Sequence, residues 1–89
     1  MRAVISVIGK DMVGILAAVS AECASSKMNI TDVTQSVLQD MFVMIMMVEF
    51  TNDSIPFAEF SERLTQLGKE KGLDIHVMHE DIFNSMHRI

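Results

Sequence analysis

Gly9 and Gly14 bracket Lys10, Asp11, Met12 and Val13 where an apolar run gives way to helical spacing, within residues 5–20. A strand that passes directly into a helix leaves backbone N–H groups without intrahelical partners. Together with the helix dipole they make that turn suited to an anion. Glycine there keeps the backbone open to a ligand that approaches closely. Taken alone, the two glycines fit a plain change of chain direction equally well. The spacing does not fit the longer glycine-rich loop ending in Lys-Ser/Thr that cradles nucleotide phosphates. Asp11 is the carboxylate of the turn, and a helix N-cap accounts for it without catalysis.

Other residue types that could do chemistry are sparse. His76, His79, Glu80 and His87 invite a metal reading. On a regular strand His76 and His79 point to opposite faces, so they cannot share one ion, and solvated histidines are the expectation. Cys23 falls on an apolar helical stripe, which marks a packed core residue rather than a nucleophile. No Ser or Cys has an evident local base. The expectation is a chain that is not an enzyme and has no cofactor and no metal.

Composition narrows the partners. The 89 residues carry a net charge of −5, and the seven Lys and Arg form no basic run, which argues against nucleic acid. One domain with a modest core is the size expectation. A lone cysteine suits a reducing compartment. No charged segment followed by an apolar core opens the chain, and no apolar run approaches the about 20 residues that span a bilayer. These features point to a cytoplasmic protein with no membrane partner.

The elements that must position the turn follow in order. Residues 2–8 are β-branched and apolar on both alternating faces, as in a central strand. Met12, Leu16, Val19 and Cys23, with Ile15 beside them, form the stripe of a first helix that ends at Met28-Asn29, where Asn tolerates a left-handed cap. Residues 30–39 alternate loosely as a half-exposed strand, Gln39-Asp40 turn, and residues 41–51 return as a strand. That strand is apolar on both faces, with Phe42, Met44, Met46, Val48 and Phe50 opposite Val43, Ile45 and Met47. Helices cover one face, so the other is an apolar patch that predicts a homodimer or larger oligomer. Pro56 opens a second helix with the stripe Phe57, Phe60, Leu64, Leu67, and Gly72 ends it. Leu73, Ile75 and Val77 alternate in a last strand. The tail, residues 81–89, carries Ile82, Phe83, Met86 and Ile89 at helical spacing and needs a surface to lie on.

The order is β-α-β-β-α-β, an α+β fold of ferredoxin-like type, a two-layer sandwich with both helices on one sheet face and Leu16, Val19, Phe60 and Leu64 against the sheet. RNA-recognition domains share this order, but the first strand here has no aromatic residue on which a base could stack.

With Gly9-Lys10-Asp11-Met12-Val13-Gly14-Ile15-Leu16 and the later Met28-Asn29-Ile30, residues 3–80 resemble an ACT domain. Val13 stands where that family frequently has proline. Over its whole length the chain is similar to small stand-alone ACT proteins related to the repressor of the glycine-cleavage system. The resemblance implies a domain at residues 1–80 with a tail at 81–89. It also implies a regulatory module that binds an amino acid between the strand–helix turn of one subunit and the second strand of its neighbour. Asp11, Val13, Gly14, Ile15, Asn29 and Ile30 are the positions it indicates. A ligand-free dimerisation or protein–protein interaction module is the alternative.

Overall fold

The computed structural model describes residues 1–10 and 13–86. Four strands and three helices follow in the order β1 (Arg2–Gly9), α1 (Ile15–Ser25), β2 (Met28–Leu38), β3 (Met41–Phe50), α2 (Phe57–Lys71), β4 (Asp74–His79) and α3 (Glu80–Met86). The strands form one antiparallel sheet in the order β2-β3-β1-β4. This is the ferredoxin-like α+β sandwich, with β1 and β3 in the middle because both are apolar on each side.

The core lies between the sheet and the two longer helices. Ala3, Ile5 and Val7 of β1 and Phe42, Met44, Met46 and Val48 of β3 alternate onto this face, against Ile15, Val19, Cys23, Phe60 and Leu64. Phe50 stacks on Phe57 and meets Phe60 edge-on, with centroids 6.2 and 5.9 Å away, which anchors the start of α2. Gly68 lets α2 come close to β4, since a Cβ there would stand 2.7 Å from the Leu73 carbonyl oxygen. The helix ends at Gly72, with Lys69 and Lys71 in its last turn.

Several expectations need correction. The buried stripe of α1 is Ile15, Val19 and Cys23, whereas Leu16 is 40% exposed and does not pack on the sheet. Ile15 and Leu16 are both apolar, and a helix that starts at Ile15 turns only one of them inward. The cap position falls on Gly14, with no side-chain cap hydrogen bond, rather than on Asp11; Asp11 and Met12 lie outside the described residues. The left-handed residue between α1 and β2 is Lys27, at φ 65, not Asn29. The Lys27 carbonyl accepts hydrogen bonds from Ser54 Oγ (2.6 Å) and Thr51 Oγ1 (3.1 Å), which hold that conformation. Asn29 is already within β2.

The outer face of the sheet also differs from an open apolar patch. Val4 lies on that face, outside the helix-side core, and is fully buried. The short helix α3 contacts β1 and β4. Arg2 donates to Glu80 through Nε (3.0 Å) and a terminal nitrogen (2.6 Å), clamping the start of α3 to β1. The Asp81 backbone N–H donates to His79 Nδ1 (3.1 Å), so His79 closes the passage from β4 into α3. Phe83 reaches the outer face beside Ile45 and Met47. Ile45 and Met47 beside it are half-buried, as is Val43 further along β3. The remaining tail residues His87, Arg88 and Ile89 lie outside the described residues.

Strand β2 is one edge of the sheet and β4 the other. Apart from Met28 and the half-buried Val33, all residues of β2 are exposed, including Ile30, Val37 and Leu38. A register shift between Ile30 and Asp32 leaves Thr31 out of the ladder, and Thr31 Oγ1 donates to the Met47 carbonyl (3.2 Å).

Candidate functional site

The β1–α1 turn is built by the end of a central strand and a residue only glycine adopts easily. Gly14 has φ 76 and ψ 3, and among the described residues, its chain neighbours aside, no atom stands within 4 Å of where its Cβ would be. Its carbonyl accepts the first helical bond, from the Ala18 N–H at 2.9 Å. The first N–H groups of α1 have no intrahelical acceptor, and the cap residue supplies no side-chain acceptor for them. Val13 beside them is 91% exposed, while Ile15 turns into the core.

Two hollows flank this turn. One, of about 260 Å³, is lined by Val13, Ile15, Glu70, Lys71 and Leu73. The other, of about 420 Å³, is lined among others by Ile8, Lys10, Met41, Lys71, Leu73 and Asp74. They share Lys71 and Leu73, so the turn after α2 forms the wall between them. Sequence reasoning placed nothing functional at Lys71; helix-end charge complementarity explains a lysine there and conceals its position beside the hollows.

Asn29 and Ile30 lie elsewhere. Asn29 pairs with Glu49, which pairs with Arg2 at the start of β1, whereas the turn follows Gly9 at its far end. Seven residues of strand at about 3.3 Å each separate the two ends by roughly 23 Å. One subunit thus does not bring the six sequence-indicated positions together. It holds Val13, Gly14 and Ile15 at one end of the sheet and the exposed Asn29 and Ile30 at the other, with Asp11 outside the described residues. Asn29 makes no side-chain hydrogen bond among the described residues, so its amide is available as donor and acceptor.

The other chemically active residues are dispersed. His76 Nε2 lies 3.0 Å from Asp74 and His79 Nδ1 lies 3.6 Å from Asp81. The register places His76 and His79 on opposite faces of the sheet, opposite Ser6 and Ala3. Among the described residues no three His, Cys, Asp or Glu are grouped to hold a metal ion. The Cys23 thiol is fully buried, 3.8 Å from Met46 Sδ, and burial, then the neighbouring Glu22 charge, push its pKa up to about 11. Such a thiol is a poor nucleophile at neutral pH. Among the described residues no helix is long and apolar enough to cross a membrane.

The family profile described as ACT domain matches residues 2–78. The chain belongs to the ACT-domain family. This ACT domain is 43% identical over 88 residues to a UPF0237 protein of Methanocaldococcus jannaschii, a match covering 99% of this chain and 98% of the relative. Among solved structures it is similar to an ACT domain protein from Streptococcus pneumoniae, with TM-score 0.82, 32% identity and 93% of each chain covered. It shares its fold with a protein assigned as a glycine cleavage system transcriptional repressor, at TM-score 0.73 and 21% identity. That match covers 89% of this chain and 47% of the repressor.

Proposed function

We propose that this ACT domain is a cytoplasmic regulatory module that works as a homodimer and binds an amino acid, or a similar small zwitterion, at the dimer interface, with no catalysis and no nucleic-acid contact of its own. Residues 1–80 form the ligand-handling domain, with residues 81–89 as its appendage. The observation that carries the reading is the separation of the two half-sites, with the β1–α1 turn at one end of the sheet and Asn29-Ile30 at the other. A second copy supplies the missing half. The exposed β2 edge offers a route, because two such edges paired antiparallel set the partner's residues 29–30 beside residues 37–38 of this chain. That is the end of the sheet that carries the turn. The ligand's carboxylate meets the N–H groups around Gly14-Ile15, the partner's Asn29 takes its ammonium group or remaining oxygen, and Val13 and Ile30 wall its side chain.

The experiment is a thermal-shift screen of the amino acids on the dimer, followed by calorimetry and light scattering. A ligand that binds only the native dimer raises stability by about 2.7 kcal/mol at a hundredfold excess over Kd. Asn29→Ala should weaken binding without unfolding the protein, since Asn29 is exposed. A clean monomer at tens of micromolar, or a dimer that no amino acid stabilises at millimolar concentration, overturns the ligand reading. In the second case the same β2 edge, with exposed Ile30, Val37 and Leu38, favours a ligand-free assembly module.

A further inference from the structure

The Thr31 bulge interrupts the same β2 edge along which two copies pair in the dimer above. Ile30 and Asp32 stand opposite Val48 and Met47, consecutive residues of β3, so Thr31 is the extra residue and its peptide groups lie outside that ladder. Thr31 is exposed, and its hydroxyl donates to the Met47 carbonyl at 3.2 Å, which pins the bulge to β3. A bulge bends its strand and turns the edge away from a neighbour.

Side-chain faces fix the register of the pairing. Val33, Gln35 and Val37 lie opposite Met46, Met44 and Phe42 on the helix side, so Asp32, Thr34, Ser36 and Leu38 look outward. Like faces meet across two antiparallel copies only if the two-fold axis passes through a residue. An axis at Asp32 sets two carboxylates against each other. An axis at Thr34 sets Asp32 against the partner's Ser36 and Val33 against the partner's Gln35. Beyond that point the bulge decides the match. Ile30 lies on the helix side, opposite Val48. Passing over Thr31 brings the partner's Ile30 to Val37 and the partner's Asn29 to Leu38, each on its own face. Counting Thr31 as an ordinary strand residue would set Ile30 against Leu38, on unlike faces.

We propose that the two Thr31 bulges break the intersubunit ladder, which is regular over residues 32–36 and opens at each end into a slot whose free carbonyls receive the ligand's ammonium group. Each slot lies between residues 29–31 of one copy and 37–38 of the other. Val37 is in the row of Phe42 and Gly9, from which the β1–α1 turn departs, so the ligand's carboxylate end stays with Gly14-Ile15. An ammonium group carries three donors and needs acceptors, which the unpaired edge carbonyls and the partner's Asn29 supply. This inference rests on the amino-acid reading above and adds what keeps the site open in the dimer.

The test compares the full chain with a variant from which Thr31 is deleted. The deletion leaves Ile30 and Asp32 on their present faces and makes the edge continuous. In the wild type, hydrogen exchange measured above and below the dimer dissociation constant should show dimer-linked protection over residues 32–36 and none at 29–31 or 37–38. An equimolar mixture of the proteinogenic amino acids at millimolar concentration should then protect those two segments. Deleting Thr31 should tighten the dimer about tenfold, as at least one backbone pair is regained at each slot, and should abolish the response to the mixture. Opposite signs separate a positioning role from simple damage, which would weaken both. Thr31→Ser, which keeps the hydroxyl, should behave as the wild type. Dimer-linked protection running unbroken through residues 29–38 of the wild type overturns the inference even if the deleted chain fails to fold, and so does a deleted chain that dimerises less tightly. If the ladder is unbroken and the mixture still stabilises the dimer, the inference falls and the sensor reading stands. If the wild type is a monomer, or the mixture protects nothing, both fall.

Discussion

Met44 and Ile45 are neighbours on β3 that face opposite sides of the sheet, so placing Glu at each in turn separates the two surfaces within one strand. Met44 is fully buried in the helix-side core, whereas Ile45 is half-buried beside Phe83 on the outer face. Met44→Glu forfeits an apolar side chain worth about 1.5–3 kcal/mol when buried. The new carboxyl must then stay protonated in the core. Buried glutamates reach pKa values of about 8–9 against about 4.3 unfolded, so holding that proton at pH 7 costs roughly 3–4 kcal/mol. The combined loss, roughly 5–7 kcal/mol, matches the lower part of the about 5–15 kcal/mol range of whole-domain stability. Met44→Glu should therefore be largely unfolded at pH 7. Ile45→Glu can turn its carboxylate to water and should stay within about 1 kcal/mol of the wild type. The pH dependence has a definite sign. The native pKa at position 44 is raised, so the penalty of neutralising the carboxyl is absent below about pH 4.3 and grows as pH rises towards 8. Urea unfolding followed by circular dichroism at pH 5 and pH 7 reads both effects relative to the wild type. Equal damage from the two substitutions, or a Met44→Glu variant as stable as Ile45→Glu at pH 7, would refute the assignment of faces.

Three further outcomes are expected. Ser26 Oγ is buried with no hydrogen-bond partner among the described residues, so Ser26→Ala should raise stability by about 1 kcal/mol, and an unchanged or lower melting temperature would count against that. Glu80→Gln weakens the two-pronged contact with Arg2, a partly exposed pair worth about 0.5–1 kcal/mol after solvent screening. Amide exchange should then quicken in α3 and stay unchanged in α2, and uniform quickening would show that α3 is not an independent unit. The raised Cys23 pKa means its contribution to stability is intact below the unfolded value near 9 and is lost as pH climbs towards about 11. The wild type should lose stability relative to Cys23→Ala across that range, with no alkylation of the native thiol at pH 8; equal alkaline curves would contradict this.

The fold was legible where a single periodicity dominates. Phe57, Phe60 and Leu64 repeat at helical spacing and Gly72 stops the chain, so α2 reads directly from its residues. The hairpin at Gln39-Asp40 reads equally well, because two β-rich runs flank a two-residue turn. The start of α1 was only partly legible, because a left-handed Gly14 sets the helix to begin at Ile15, which keeps Ile15 on the buried stripe and turns Leu16 off it. The Thr31 bulge has no sequence mark, because it is fixed by pairing with a distant strand. The clamp of α3 on β1 joins Arg2 to Glu80, a separation in sequence that no local pattern reports. The candidate site was legible as two segments, the turn and Asn29-Ile30. Their roughly 23 Å separation follows only from the strand register. The hollows at Lys71 arise from packing of the α2–β4 turn beside the β1–α1 turn, which three-dimensional placement alone creates.

The central place of β1 has a consequence for how the chain is made. Arg2–Gly9 leaves the ribosome before either strand it pairs with, and its hydrogen-bonding edges are completed by β3 and, later, by β4 at residues 74–79. The β2–β3 hairpin can close locally as soon as it emerges, and β1 can add to it. The second edge of β1 then waits for some thirty more residues, an apolar strand with one row of unpaired backbone groups. During that interval the unpaired edge of β1 is open to pairing with another chain. Synthesis rate through α2, rather than any property of the finished sheet, sets how long that exposure lasts.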